Sequence, residues 1–163
     1  MVYLYVTARQ LKQTDCTNRA FKLLTVSFER LVMTKQFLDL DIEQVLELFS
    51  CNEIGARSEV IVFLAALKWI NHRYVEREEF IAELFSNIRF PLMSKEEILA
   101  CYHPPILPGI VKIEDVKAIL LNATCYVLAK SLGQENLFSE LAAEPRTFLF
   151  EGEPMILWVR ISS

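Results

Sequence analysis

Eight consecutive apolar residues, Val60-Ile-Val-Phe-Leu-Ala-Ala-Leu67, followed after one lysine by Trp69 and Ile70, set the tightest limit on how this chain folds. Such a run is either a strand covered on both faces or a helix enclosed on nearly all sides, and its extent over residues 57–70 selects the helix. Ser58 stands where a hydroxyl N-cap belongs, and Glu59 adds a favourable carboxylate to the first turn. Asn71, His72 and Arg73 then give a polar exit. A membrane span needs roughly 18 apolar residues, more than this run supplies. The expectation is a buried central helix with others packed around it, and no membrane insertion.

On either side the apolar spacing is that of amphipathic helices. Val2, Leu4, Tyr5, Val6, Ala8 and Leu11 fit a first helix over residues 2–12. Ala20, Leu23, Leu24, Val26, Phe28 and Leu31 fit a second over 16–31, capped by Thr14 or Asp15, so that the two form a helical hairpin. Phe37-Leu-Asp-Leu40 offers plugs for the core. Asp41 caps a helix over 42–49, with Gln44 placed to complete a capping box, and Asn52-Glu-Ile-Gly55 breaks the chain. Beyond the central helix, residues 77–85 read as another helix, with Phe80, Ile81, Leu84 and Phe85 on one side.

Residues 88–93 read as an extended connector, because Pro91 disfavours helix in the residue before it. Ser94-Lys-Glu-Glu97 has capping-box spacing and opens a helix to about Cys101. Pro104-Pro105 and Pro108-Gly109 mark the one clear boundary. Past it, residues 114–132 form a long helix stopped by Gly133, with a short helical turn over 137–141. The tail changes character: two β-branched and aromatic runs in residues 146–161 flank Glu151-Gly-Glu-Pro154, a hairpin pattern. A lone hairpin is marginal in water, so it should dock on the helices or pair with another strand. The fold class expected is all-α, a bundle of stacked helical hairpins with a short C-terminal β-hairpin. Residues 1–103 form the main domain, and residues 104–163 are an extension packed on it.

With 53% hydrophobic residues among 163, the chain has material for a real core. Its 17 Lys and Arg against 21 Asp and Glu lack the basic clustering that nucleic acid requires. No export signal opens the chain. Cys16, Cys51, Cys101 and Cys125 are too far apart for metal-type pairs and read as reduced thiols in a cytoplasmic protein, with the nucleus as the other compartment.

The segment from Phe37 to Tyr102 resembles the BACK domain, the helical module between the BTB domain and the Kelch repeats of cullin-3-type ubiquitin-ligase adaptors. Phe37-Leu-Asp-Leu40, Val45-Leu-Glu-Leu-Phe-Ser50, Arg57-Ser-Glu59 before a helix ending in Trp69, and Ile88-Arg-Phe-Pro-Leu-Met-Ser94 leading to Ile98-Leu99 occur in the family's order and spacing. Residues 1–36 are similar to the helical pair that precedes them. Residues 110–163 show no Gly-Gly doublet and do not resemble Kelch repeats, so BTB and Kelch parts are both expected to be missing. The resemblance implies a non-catalytic scaffold, with cullin-3 or a BTB-containing protein as partner.

Chemistry-bearing residues point to no enzyme, cofactor or metal. Cys101 and His103 lack two further ligands at zinc spacing, and His72 at a helix end complements the dipole. Glu76, Glu78, Glu79 and Glu83 beside Arg73 and Arg77 make a solvated, ion-paired face. Trp69 belongs to the core. Val2, Leu4, Tyr5 and Leu11 on an apolar first helix, with Trp158 on the terminal strand, are the candidate partner-binding residues. The alternative reading is a structural or self-associating helical protein without a ligase connection.

Overall fold

The computed structural model describes residues 1–148, and these are mostly helical. They fall into two compact units, one of Met1–Arg57 with residues 146–148, the other Ser58–Pro145.

In the first unit, α1 (Val2–Gln10) buries Val2, Tyr5 and Ala8. It stops where Lys12 turns to a left-handed φ of 55°. The Lys12 N–H then reaches Arg9 O (3.1 Å) and the Gln13 N–H reaches Ala8 O (3.0 Å), the two bonds of a Schellman cap. The helix expected over 16–31 is instead two helices, α2 (Thr14–Val26) and α3 (Phe28–Val32), broken at Ser27. Gln13, rather than Thr14 or Asp15, occupies the α2 N-cap.

The cause of the break is Gly55. Its N–H donates to Thr25 O (2.7 Å), and its own carbonyl accepts from the Glu29 N–H (3.3 Å). Thr25 and Glu29 are the pair that an unbroken helix would bond to each other, so the Gly55 peptide takes both ends of one rung of the ladder. Only glycine fits: a Cβ there would lie 1.9 Å from the Val26 carbonyl oxygen.

Next comes α4 (Lys35–Leu38), capped by the Thr34 hydroxyl, and the fully buried Phe37 and Leu40 are the expected plugs. α5 (Ile42–Ser50) carries the expected capping box: Asp41 Oδ1 accepts from the Gln44 N–H (2.8 Å) and Gln44 Oε1 from the Asp41 N–H (3.1 Å). β1 (Glu53–Ile54) pairs in parallel with β2 (Thr147–Phe148). The buried guanidinium of Arg146 donates to Phe49 O and Cys51 O, both at 2.6 Å, closing the end of α5. The expected hairpin, with its loop at 151–154 and Trp158, lies outside the described residues.

The second unit is built on α6 (Glu59–His72), the expected central helix, which buries Val62, Phe63, Ala65, Ala66, Leu67, Trp69 and Ile70. Its start departs from expectation. Ser58 holds the N-cap position but its hydroxyl makes no cap bond, and Glu59 is buried, accepting the Arg89 N–H at 3.1 Å. The single helix expected over 77–85 is divided into α7 (Tyr74–Arg77), a 3-10 turn at Glu78–Phe80, and α8 (Ile81–Ser86).

Arg77 leaves the solvated face assigned to it. It is buried, its guanidinium 3.7 Å from the Trp69 ring centroid and donating to the Trp69 carbonyl in the last turn of α6. Burial is tolerable because the cation meets both a π face and a carbonyl of the last helical turn.

The connector at 88–93 is a 3-10 turn, Phe90–Leu92, rather than extended. It inserts Phe90 against Phe63 (ring centroids 5.7 Å apart) and Phe85 (6.0 Å), while Phe63 and Phe85 are themselves 5.7 Å apart. α9 (Lys95–Cys101) opens with the expected Ser94–Glu97 capping box. α10 (Glu114–Ser131) packs against α8, α9 and the Phe90–Leu92 turn, burying Val116, Leu120, Ala123 and Val127. Gly133 stops it as expected, at a φ of 68°. A 3-10 segment, Glu135–Leu141, follows.

Candidate protein-interaction surface

Tyr3, Leu4, Tyr5 and Val6 stand in a row on α1, so apolar pattern alone does not say which side faces in. The phase is set by Tyr5. Its ring is fully buried 5.6 Å from Phe21 of α2, and its hydroxyl donates to Glu47 Oε2 of α5 at 2.7 Å. Arg9 lies one helical turn along and donates to the same carboxylate (2.7 Å), to the Tyr5 oxygen (2.9 Å) and to Glu43 (3.2 Å). One aromatic and one cation thus fasten α1 to α5. The Tyr5 hydrogen bond holds the Arg9 pKa above its ordinary value.

With Tyr5 inward, Leu4 and Leu11 are turned out, 52% and 64% exposed, together with Tyr3 on α1 and Leu23 on α2. Leu4, Asp15, Cys16, Arg19, Ala20 and Leu23 line an open groove of about 390 Å³ between the two helices. Of the residues singled out from sequence, Leu4 and Leu11 therefore stand on the surface, while Val2 and Tyr5 lie beneath it as its support. Trp158 lies outside the described residues. Sequence reasoning missed Leu23, which had been placed on the apolar inner face. At three residues from buried Ala20 and one from buried Leu24 it sits at the edge of that arc, and this offset was the available signal.

The other candidates take structural places. Burial pushes the Cys101 thiol up to about 12, and its sulfur lies 3.6 Å from Met93 Sδ. His103 is in an exposed turn, and Glu76, Glu78, Glu79 and Glu83 are exposed. Among the described residues no group of His, Cys, Asp and Glu could hold a metal ion, and no helix is long and apolar enough to cross a membrane.

The Tyr5 anchor has a pH signature. Burial, reinforced by the Glu47 carboxylate, raises its pKa from 10.0 to about 12. A phenol harder to ionise in the folded than in the unfolded chain contributes stability that is intact below pH 10 and is lost as the pH climbs to about 12. Tyr5→Phe is expected to remove that alkaline loss and to cost about 1 kcal/mol at neutral pH. Urea denaturation at several pH values checks both; an unchanged alkaline slope would remove Tyr5 as its source.

A family model described as BACK: BTB And C-terminal Kelch matches residues 1–103. Kelch-like protein 2 of Homo sapiens is 37% identical over 86 residues, covering 53% of this chain and 14% of that protein. Kelch-like protein 3 of Bos taurus is 29% identical over 134 residues, 82% of this chain and 22% of that protein. The chain thus spans less than a quarter of the length of these relatives.

Proposed function

This chain belongs to the BACK family, BTB And C-terminal Kelch, and from that premise we propose that it is a non-catalytic adaptor scaffold whose α1–α2 face takes a protein partner of the cullin-3 type. The observation that carries the reading is the exposed Leu4, Leu11 and Leu23 set over a rigid Tyr5–Glu47–Arg9 fastening. Apolar side chains held on short, fixed helices lose little further entropy when a partner covers them, so their burial goes largely into affinity. In this reading α1 and α2 form the first of several stacked helical hairpins. Residues 1–103 are the adaptor module, residues 104–163 an extension, and the protein works in the cytoplasm.

The test measures binding of a purified cullin-3 N-terminal region to the full chain, and to the chain fused behind a BTB domain, by calorimetry. Binding in at least one form, weakened about tenfold or more by Leu4→Glu with Leu23→Glu, is expected, the equivalent of about 1.4 kcal/mol. No binding in either form, or binding indifferent to both substitutions, would sink the proposal.

A further inference from the structure

Arg146, 6% exposed, is the one charged residue buried among the described residues of the first unit, and it comes from far along the chain. One nitrogen of its guanidinium donates to Phe49 O and to Cys51 O, 97 and 95 positions earlier. The residues after it follow as a strand. The Thr147 N–H donates to Asn52 O at 2.8 Å, and Thr147 and Phe148 pair in parallel with Glu53 and Ile54. A parallel pair has no tight turn to hold it together. Residues 49–54 therefore form the receiving side by themselves, supported by the fully buried Leu48, Phe49, Ile54 and Ala56. Residues 146–148 are laid into that side as a separate strap.

The contacts define what such a slot recognises. Carbonyls at the end of α5 carry the negative pole of the helix and draw in a cation. Both acceptors of the arginine are main-chain atoms, and so is the acceptor of the Thr147 N–H. Thr147 itself is exposed, so the slot reads an arginine and the extended backbone behind it rather than the side chain that comes next. A lysine brings the charge, but its ammonium is one bond shorter than the guanidinium nitrogen and falls short of the two carbonyls. An edge that accepts an extended segment, with one pocket to select it, is the strand-addition mode of peptide recognition.

We propose that residues 49–54 are a binding slot for an extended, arginine-bearing peptide of a partner protein, and that the chain's own residues 146–148 fill it in cis. Among the described residues, two ladder pairs and one side chain hold the strap. A free peptide enters only when the strap is out, so the strap sets the threshold that a partner must exceed. A second copy offers the same three residues without the tether and gains nothing by the exchange, whereas a partner peptide that adds contacts does. None of these residues lines the α1–α2 groove, so the slot is separate from the face assigned above.

The experiment titrates a fluorescent, end-capped peptide of residues 142–148, Ala-Ala-Glu-Pro-Arg-Thr-Phe, with the native full chain and with its Arg146→Ala variant. Anisotropy and the amide signals of Asn52, Glu53 and Ile54 are followed to about 1 mM. Binding to Arg146→Ala is expected to be at least about tenfold tighter than to the native chain, with shifts at those amides, and about tenfold weaker for a peptide carrying lysine in place of its arginine. Thr147→Pro removes the bond to Asn52 O at an exposed position. It should open the slot in the same way, and it replaces Arg146→Ala if that variant does not fold. No binding to the opened chain, binding indifferent to lysine, or shifts confined to other amides would overturn the proposal. So would failure of both variants to fold, which would make the strap part of the unit's core. A native chain that dimerises and becomes monomeric in Arg146→Ala overturns it as well, because the slot then serves a second copy.

Discussion

Gly55→Ala is expected to destabilise the chain by about 3 to 5 kcal/mol, as much as truncating a large core side chain, although it adds one methyl group and removes no contact. The new Cβ would stand 1.9 Å from the carbonyl oxygen and 2.6 Å from the carbonyl carbon of Val26. Both are backbone atoms, so no rotamer change relieves the clash and the two segments must separate. Separation breaks the bonds from Gly55 N–H to Thr25 O and from Glu29 N–H to Gly55 O. Between α2 and α3 the helical ladder has already given up those groups, which leaves them without partners in a buried site. Gly109→Ala is the matched control, because nothing lies within 4 Å of a Cβ there; a change within about 0.5 kcal/mol is expected. Thermal and urea denaturation of both variants, with amide exchange at Glu29 and residue 55, measure the difference. Equal stability of the two would mean that the close approach at Gly55 is not a constraint on the fold.

The elements that could be read from the sequence are those whose causes lie within a few residues. Asp41 with Gln44, and Ser94 with Glu97, close rings that span three residues, so the spacing alone announces them. Gly133 ends α10 because a left-handed residue is needed there and glycine supplies it without strain. The run at 60–67 demanded enclosure and received it.

What stayed hidden was set by partners far along the chain. The break at Ser27 comes from Gly55, and the burial of Glu59 from the backbone of Arg89, thirty residues on. Arg77 reads from sequence as part of a solvated, ion-paired face with its glutamate neighbours, and Arg146 only as the start of the tail's strand pattern. Each is instead drawn in by carbonyls at a helix end, those of Trp69 for the first and of Phe49 and Cys51 for the second. The interaction face followed the same rule. An apolar first helix was legible, but which of its side chains turn outward depends on Tyr5 finding Glu47, 42 positions away. The family resemblance over residues 37–102 located the module without supplying that phase.

Phe63→Ala is expected to cost about 3 to 5 kcal/mol, the range for emptying a well-packed aromatic site. Phe63 is the one ring of its cluster that comes from α6, and it meets Phe85 edge-on (interplanar angle 74°) and Phe90 at 66°. Edge-to-face geometry adds to the area term for each pair, and both pairs vanish with the one ring. Phe85 and Phe90 cannot close the gap by moving together. Their centroids are already 6.0 Å apart, and the chain that joins them is held to Glu59 through the Arg89 N–H. Cavity and lost contact therefore add rather than offset. Phe63→Leu keeps most of the volume and should recover more than half of the loss, whereas Ile61→Ala, on a less enclosed side of the same helix, should cost about 1 kcal/mol. Urea midpoints followed by far-ultraviolet circular dichroism give all three values. If Phe63→Ala costs no more than Ile61→Ala, then α6 is not enclosed through this cluster, and the reason for eight apolar residues in a row must be sought on another of its faces.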